Sequence, residues 1–137
     1  MSSTATTHEI TLDDFITGLV ASLAKRNKRL ISIRNTNFYT AVISSFGYVQ
    51  EWAAKNATEV SFWLAQNEYH GDSPDVRNGL TRAVQDDLIS LDNPTYQRMR
   101  IQITPSMADE YLDTLAGGAA LYDEVADRFL REYVQIS

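Results

Sequence analysis

Apolar residues recur along the chain at two spacings, three-to-four and two, and the alternation between them sketches the fold. Over residues 11–29, Leu12, Phe15, Ile16, Leu19, Val20 and Leu23 form one stripe at helical spacing. Thr11 can cap the start of this helix. Asp13 and Asp14 suit its positive end, and the basic run from Lys25 to Arg29 suits its negative end. Residues 30–35 read as irregular or extended. A second helix is expected over 37–54, with Phe38, Ala41, Val42, Phe46 and Val49 as its stripe. Val60, Phe62 and Leu64 then alternate as in a strand. Ser73-Pro74 opens a third helix, with proline at the first helical position. Its stripe of Val76, Leu80, Ala83, Val84, Leu88 and Leu91 predicts a run up to Asn93-Pro94.

After that helix the period changes. Met99, Ile101 and Ile103 alternate with Arg98, Arg100 and Gln102, the signature of an extended segment with one buried face. The other face then presents two guanidinium groups about 6.6 Å apart, at ~3.3 Å per residue. This is close to the phosphate spacing of a stretched single strand, although two such arginines also serve simply to solvate an edge. Thr104-Pro105 opens the last helix. Its stripe, including Ala108, Tyr111, Leu115, Tyr122, Val125 and Phe129, keeps phase through Gly117-Gly118 and predicts one long helix. Two glycines there point either to a kink or tight packing, or to the close approach of a flat or charged ligand. The expected fold is all-α: an antiparallel four-helix bundle with short extended segments at one end.

The 137 residues suit a single domain, with 1–10 as an N-terminal arm and 11–134 as the helical bundle. Residues 1–9 lack the basic start and apolar core of a signal peptide, and no apolar run reaches membrane-spanning length. The absence of cysteine excludes disulfides and thiolate metal sites. His8 and His70 lack partners at metal-ligand spacing, and neither a nucleophile elbow nor a phosphate-binding glycine loop is present. No enzyme, cofactor or metal is expected. A net charge of -6 argues against a basic groove over the whole protein but leaves local phosphate contacts open. Acidic residues cluster at Asp86-Asp87, Asp109-Glu110 and Asp123-Glu124, with Glu51 near the end of the second helix. Such groups usually form solvated faces. In a repeating assembly they can instead meet across subunits and repel.

The order of several motifs resembles the coat proteins of rod-shaped plant RNA viruses, the tobamovirus-like family. The segment from Phe46 to Trp52 followed by Val60-Ser61-Phe62 is similar to the aromatic end of that family's second helix and the short strand after it. Asp92 closes the third helix. Arg98-Met99-Arg100-Ile101 resembles the family's Arg-x-Arg-Ile segment, which contacts RNA phosphates. Thr104-Pro105 with Ala108, Leu112 and Asp113 resembles the start of its fourth helix. The chain departs from the family at Ala116-Gly117-Gly118, near where an arginine pair is usual, and in its short loop after Ile103. It also lacks the family's long C-terminal segment.

The resemblance implies self-assembly of identical subunits into a helical rod around single-stranded RNA, in the virion and the host cytoplasm, with no membrane partner. Arg98 and Arg100 would hold phosphates, and Gly117 and Gly118 would let a base approach the last helix. Arg34, Asn35 and Asn37 would line the same groove. Glu51, Asp86, Asp87, Asp109, Glu110, Asp123 and Glu124 would be the carboxylates between subunits. The alternative is an acidic helical module, an inhibitor or adaptor, that binds another protein and no nucleic acid.

Overall fold

The computed structural model describes residues 9–28, 30–33, 36–62, 64, 73–91 and 98–136. The chain is mostly helical, and two small sheets accompany the helices. In order the elements are β1 (Glu9–Ile10), α1 (Leu12–Lys25), β2 (Leu30–Ser32), α2 (Thr36–Lys55), β3 (Glu59–Val60), α3 (Pro74–Gln85), β4 (Ile89–Leu91), β5 (Arg98–Ile101), α4 (Pro105–Asp113) and α5 (Gly118–Ile136). Among the described residues no helix is long and apolar enough to cross a membrane.

The helices begin where capping chemistry places them. Thr11 and Asp14 form a reciprocal capping box, each side chain accepting from the other's backbone N–H at 3.1 Å. Ser73 and Thr104 accept from the backbones of Val76 and Met107, each followed by proline in the first turn.

Where the helices end is less visible in the sequence. α1 stops at Lys25, short of the expected residue 29, because Asn27 turns into the left-handed region at φ 60°. The amides of Asn27 and Lys28 then bond back to the carbonyls of Ala24 and Leu23. α3 stops at Gln85 rather than continuing toward residue 91. Asp87 takes φ 63°, and the amides of Asp87 and Leu88 close the same motif on Val84 and Ala83. Ile89–Leu91 is thereby freed to pair as a strand. At the end of α2, Ala57 adopts φ 50°, with Thr58 bonding back to Ala53. Alanine is strained in that region and glycine is not. Ala57→Gly is therefore expected to stabilise the fold by about 1 kcal/mol, readable as a higher urea midpoint with an unchanged slope.

The last helix is not continuous, contrary to the phase of its stripe. α4 closes at Thr114, and α5 begins at Gly118 after a turn, with Gly117 (φ 82°) and Gly118 (φ 55°) both left-handed. The stripe keeps phase because both helices bury the same side against the core: Ala108 and Leu112 from α4, then Leu121, Tyr122, Val125 and Phe129 from α5.

α2 packs along α5, and α1 packs against α4, α5 and α3. Phe38 near the start of α2 meets Phe129, with ring centroids 5.9 Å apart, while Trp52 near its end lies beside Gly117. α2 and α5 are therefore antiparallel. Phe15, Phe46 and Phe62 form an aromatic cluster joining α1, α2 and the segment after β3, with centroids 4.7–5.9 Å apart. β1 pairs in parallel with β3. β5 forms the centre of a three-stranded antiparallel sheet between β2 and β4. That sheet positions the candidate site.

Candidate nucleic-acid interface

The period-two pattern of β5 becomes a two-faced strand. Met99 and Ile101 are 1% and 3% exposed, Ile103 beyond them is fully buried, and Arg98, Arg100 and Gln102 face outward. The register carries this division across the sheet. Ile31 and Leu91 flank Met99, and Ile89 pairs with Ile101, so the inner face is apolar throughout. On the outer face Leu30 and Ser90 flank Arg100, and Ser32 pairs with Arg98. Gln102 donates its amide to the Ser90 hydroxyl at 2.6 Å. These six outer residues include two arginines and no carboxylate, in a chain whose net charge is -6. Arg98 and Arg100 are thus both exposed on the outer face of the central strand.

The free edge of β2 is closed by a side chain rather than a strand. The Tyr133 hydroxyl accepts from the Ser32 amide at 3.0 Å and lies 3.3 Å from the Ser32 carbonyl, to which it donates. Its ring stacks on Phe129, with centroids 5.5 Å apart. This contact fixes the sheet to the far end of α5.

Gly117 and Gly118 stand at the start of α5, fifteen residues before Tyr133, or about 22 Å along the helix. Gly117 does not open a surface for a base. A Cβ there would meet Leu121 and, at 3.1 Å, the Trp52 ring. Its glycine is required by left-handed backbone and tight packing, the plainer of the two sequence readings. Asn37 falls in the first turn of α2, and Arg34 and Asn35 lie outside the described residues.

The acidic residues divide into two groups. Asp109 pairs with Lys25 at 2.7 Å, and this hydrogen bond raises the lysine pKa. Asp123 accepts from Arg26 at 2.9 Å. Glu124 meets Arg128 at 3.1 Å and Arg131 at 3.7 Å. These three are neutralised within the chain and are poorly placed to repel a neighbour. Beside them Asp127 is hydrogen-bonded by Arg131, which holds its carboxyl below the usual range, and Arg26 adds to the effect. Glu51, Asp86, Asp87 and Glu110 are exposed and make no ion pair with another described residue. Asp86 and Asp87 sit in the turn after α3, not on the helix where the sequence suggested them.

The Arg26 role had no signal in the sequence beyond its place in a basic run. Its guanidinium donates to both the carbonyl and the carboxylate of Asp123, tying the end of α1 to α5. Among the described residues no group of three or more acidic or histidine side chains is arranged to hold a metal ion. No known protein family, curated protein or solved structure matches the chain.

Proposed function

We propose that this chain is a coat-type subunit that self-assembles into a helical array and holds single-stranded RNA through phosphate contacts from Arg98 and Arg100. The observation that carries the reading is the outer face of the β2-β5-β4 sheet, where two exposed arginines stand on a central strand with no carboxylate among the described residues paired with them. The order of motifs shared with tobamovirus-like coat proteins supports the same reading. In this reading α1, α2, α3 and the broken α4–α5 unit act as the four members of an antiparallel bundle, and the sheet lies at one end of it. The affinity so supplied is independent of base sequence and strongly dependent on salt. The particle would form in the host cytoplasm and persist as the virion.

Negative-stain microscopy of the purified protein, with nuclease treatment and extraction of the particles, tests this proposal. Rods or stacked discs containing protected RNA are expected. A chain that sediments as a monomer across pH and ionic strength, with or without RNA, contradicts it.

Assembly is also expected to be favoured by mild acid. Glu51, Asp86, Asp87 and Glu110 carry charge that no described residue of the chain neutralises, and like carboxylates brought together at a contact repel until one is protonated. Sedimentation should therefore shift toward larger species as pH falls, and Asp86→Asn with Asp87→Asn should reduce that shift. Sedimentation independent of pH from mildly acidic to alkaline buffer would remove these groups from the interface.

A further inference from the structure

We infer that Leu30 is a shelf for an unpaired nucleobase, completing with Arg100 a nucleotide-binding row across the sheet. The inference rests on the RNA reading above and adds a base contact to it.

Leu30 is 42% exposed, one of two large hydrophobic side chains so exposed among the described residues. An exposed leucine alone means little. Its register is what gives it meaning. Leu30 is the direct cross-strand partner of Arg100, on the same outward face, and Ser90 is the partner on the other side. Cross-strand partners in an antiparallel pair have Cα atoms about 4.5–5.5 Å apart. A phosphate held by Arg100 thus carries its base within reach of one neighbouring strand or the other. On the β4 side Ser90 is small, polar and already bonded to Gln102. On the β2 side Leu30 offers apolar surface, extended by the methylene stem of Arg100. The next outward row, Ser32 with Arg98, has no comparable apolar group. The face is thus asymmetric: both rows grip phosphate, and only the Leu30 row covers a base.

Hydrogen bonds between the Ser32 backbone and the Tyr133 hydroxyl anchor β2 two residues from Leu30, which reduces the ordering required of the strand on binding. Apolar contact of this kind does not distinguish one base from another, as suits a protein that coats a long strand.

The test compares a short labelled polyuridine oligomer with a ribose-phosphate oligomer of the same length that lacks bases, by fluorescence anisotropy. Leu30→Ser should weaken polyuridine binding roughly fivefold, the effect of losing part of a leucine's apolar contact. It should leave the baseless oligomer and the salt dependence unchanged, and Leu30→Met should restore binding. Arg100→Ala should weaken both oligomers. If Leu30→Ser changes neither oligomer while Arg100→Ala weakens both, the shelf is wrong and the phosphate reading stands. Equal weakening of both oligomers by Leu30→Ser would also overturn the shelf, because the residue would then act through the sheet rather than on the base. Failure of the unmodified protein to bind either oligomer would overturn both ideas.

Discussion

Replacing Arg98 and Arg100 together with alanine is expected to abolish packaging of nuclease-protected RNA while leaving the protein folded. Both side chains face outward, and the buried contacts of β5 belong to its other face and its backbone. Met99 and Ile101 stay buried, and the ladder to β2 and β4 uses main-chain groups. Alanine is a weaker strand former, but the whole strand scale spans only ~1 kcal/mol. Circular dichroism should therefore show unchanged helical content and a melt close to that of the parent. The binding loss should be far larger. Each charge-assisted contact contributes about 1.5–3 kcal/mol, so removing two weakens binding by two orders of magnitude or more. Empty rods or discs should still form, because this account places lateral contacts on the helices. Protected RNA at parental levels would return both arginines to the role of solvating a sheet edge.

Gly18 is expected to be the least replaceable small residue in the helices. In an ordinary helix Gly→Ala gains up to about 1 kcal/mol. Here the sign reverses. Gly18 lies on α1 against Tyr122 of α5, and a Cβ at that position would overlap the phenol ring. That ring is fully buried. The helices must separate or the ring must leave a good rotamer, at a cost of 1–3 kcal/mol or more for alanine and more again for valine. Against a total stability of ~5–15 kcal/mol, Gly18→Val should leave a marginal fold. Gly47 supplies the control, since it sits in α2 with no atom within 4 Å of where a Cβ would be. Gly47→Ala should raise the urea midpoint and Gly18→Ala should lower it. A smaller partner, as in Gly18→Ala with Tyr122→Leu, should recover part of the loss through the shared contact. Midpoints that move in the same direction for both glycines would show that the α1–α5 packing described above is wrong.

The parts of the fold legible in the sequence were those set by local rules. Capping at Thr11, Ser73 and Thr104 follows from side-chain oxygens that accept backbone N–H groups, and the sequence displays such residues openly. The outward pair Arg98 and Arg100 was legible because strict alternation with Met99, Ile101 and Ile103 leaves one solution once a face is buried. The end of α2 was legible to within a residue, but the ends of α1 and α3 were not, for a definite reason. Asn27 and Asp87 take left-handed backbone without being glycine, so the usual stop signal is missing. Leu88 and Leu91 fitted a helical stripe, but Leu88 closes the turn after α3 and Leu91 belongs to β4, where pairing with β5 buries Ile89 against the inner face. The break at Gly117 was hidden by its own packing, since α4 and α5 bury the same side on either side of the turn.

Leu30 and Ser90 were out of view because cross-strand register is a property of three segments together, not of any one. The ion pairs of Asp109, Asp123 and Glu124 were likewise hidden. Lys25 and Arg26 reach their acidic partners only once α1 has packed on α4 and α5.

The central claim is that the outer face of the β2-β5-β4 sheet grips RNA phosphates through Arg98 and Arg100. Its most direct test is the salt dependence of single-stranded RNA binding by the parent and by the doubly substituted protein. Each phosphate contact to a single strand contributes ~0.7 to the slope of log affinity against log salt. The account predicts weaker binding and a slope shallower by ~1.4 for Arg98→Ala with Arg100→Ala. Equal slopes and equal affinities for the two proteins would contradict it.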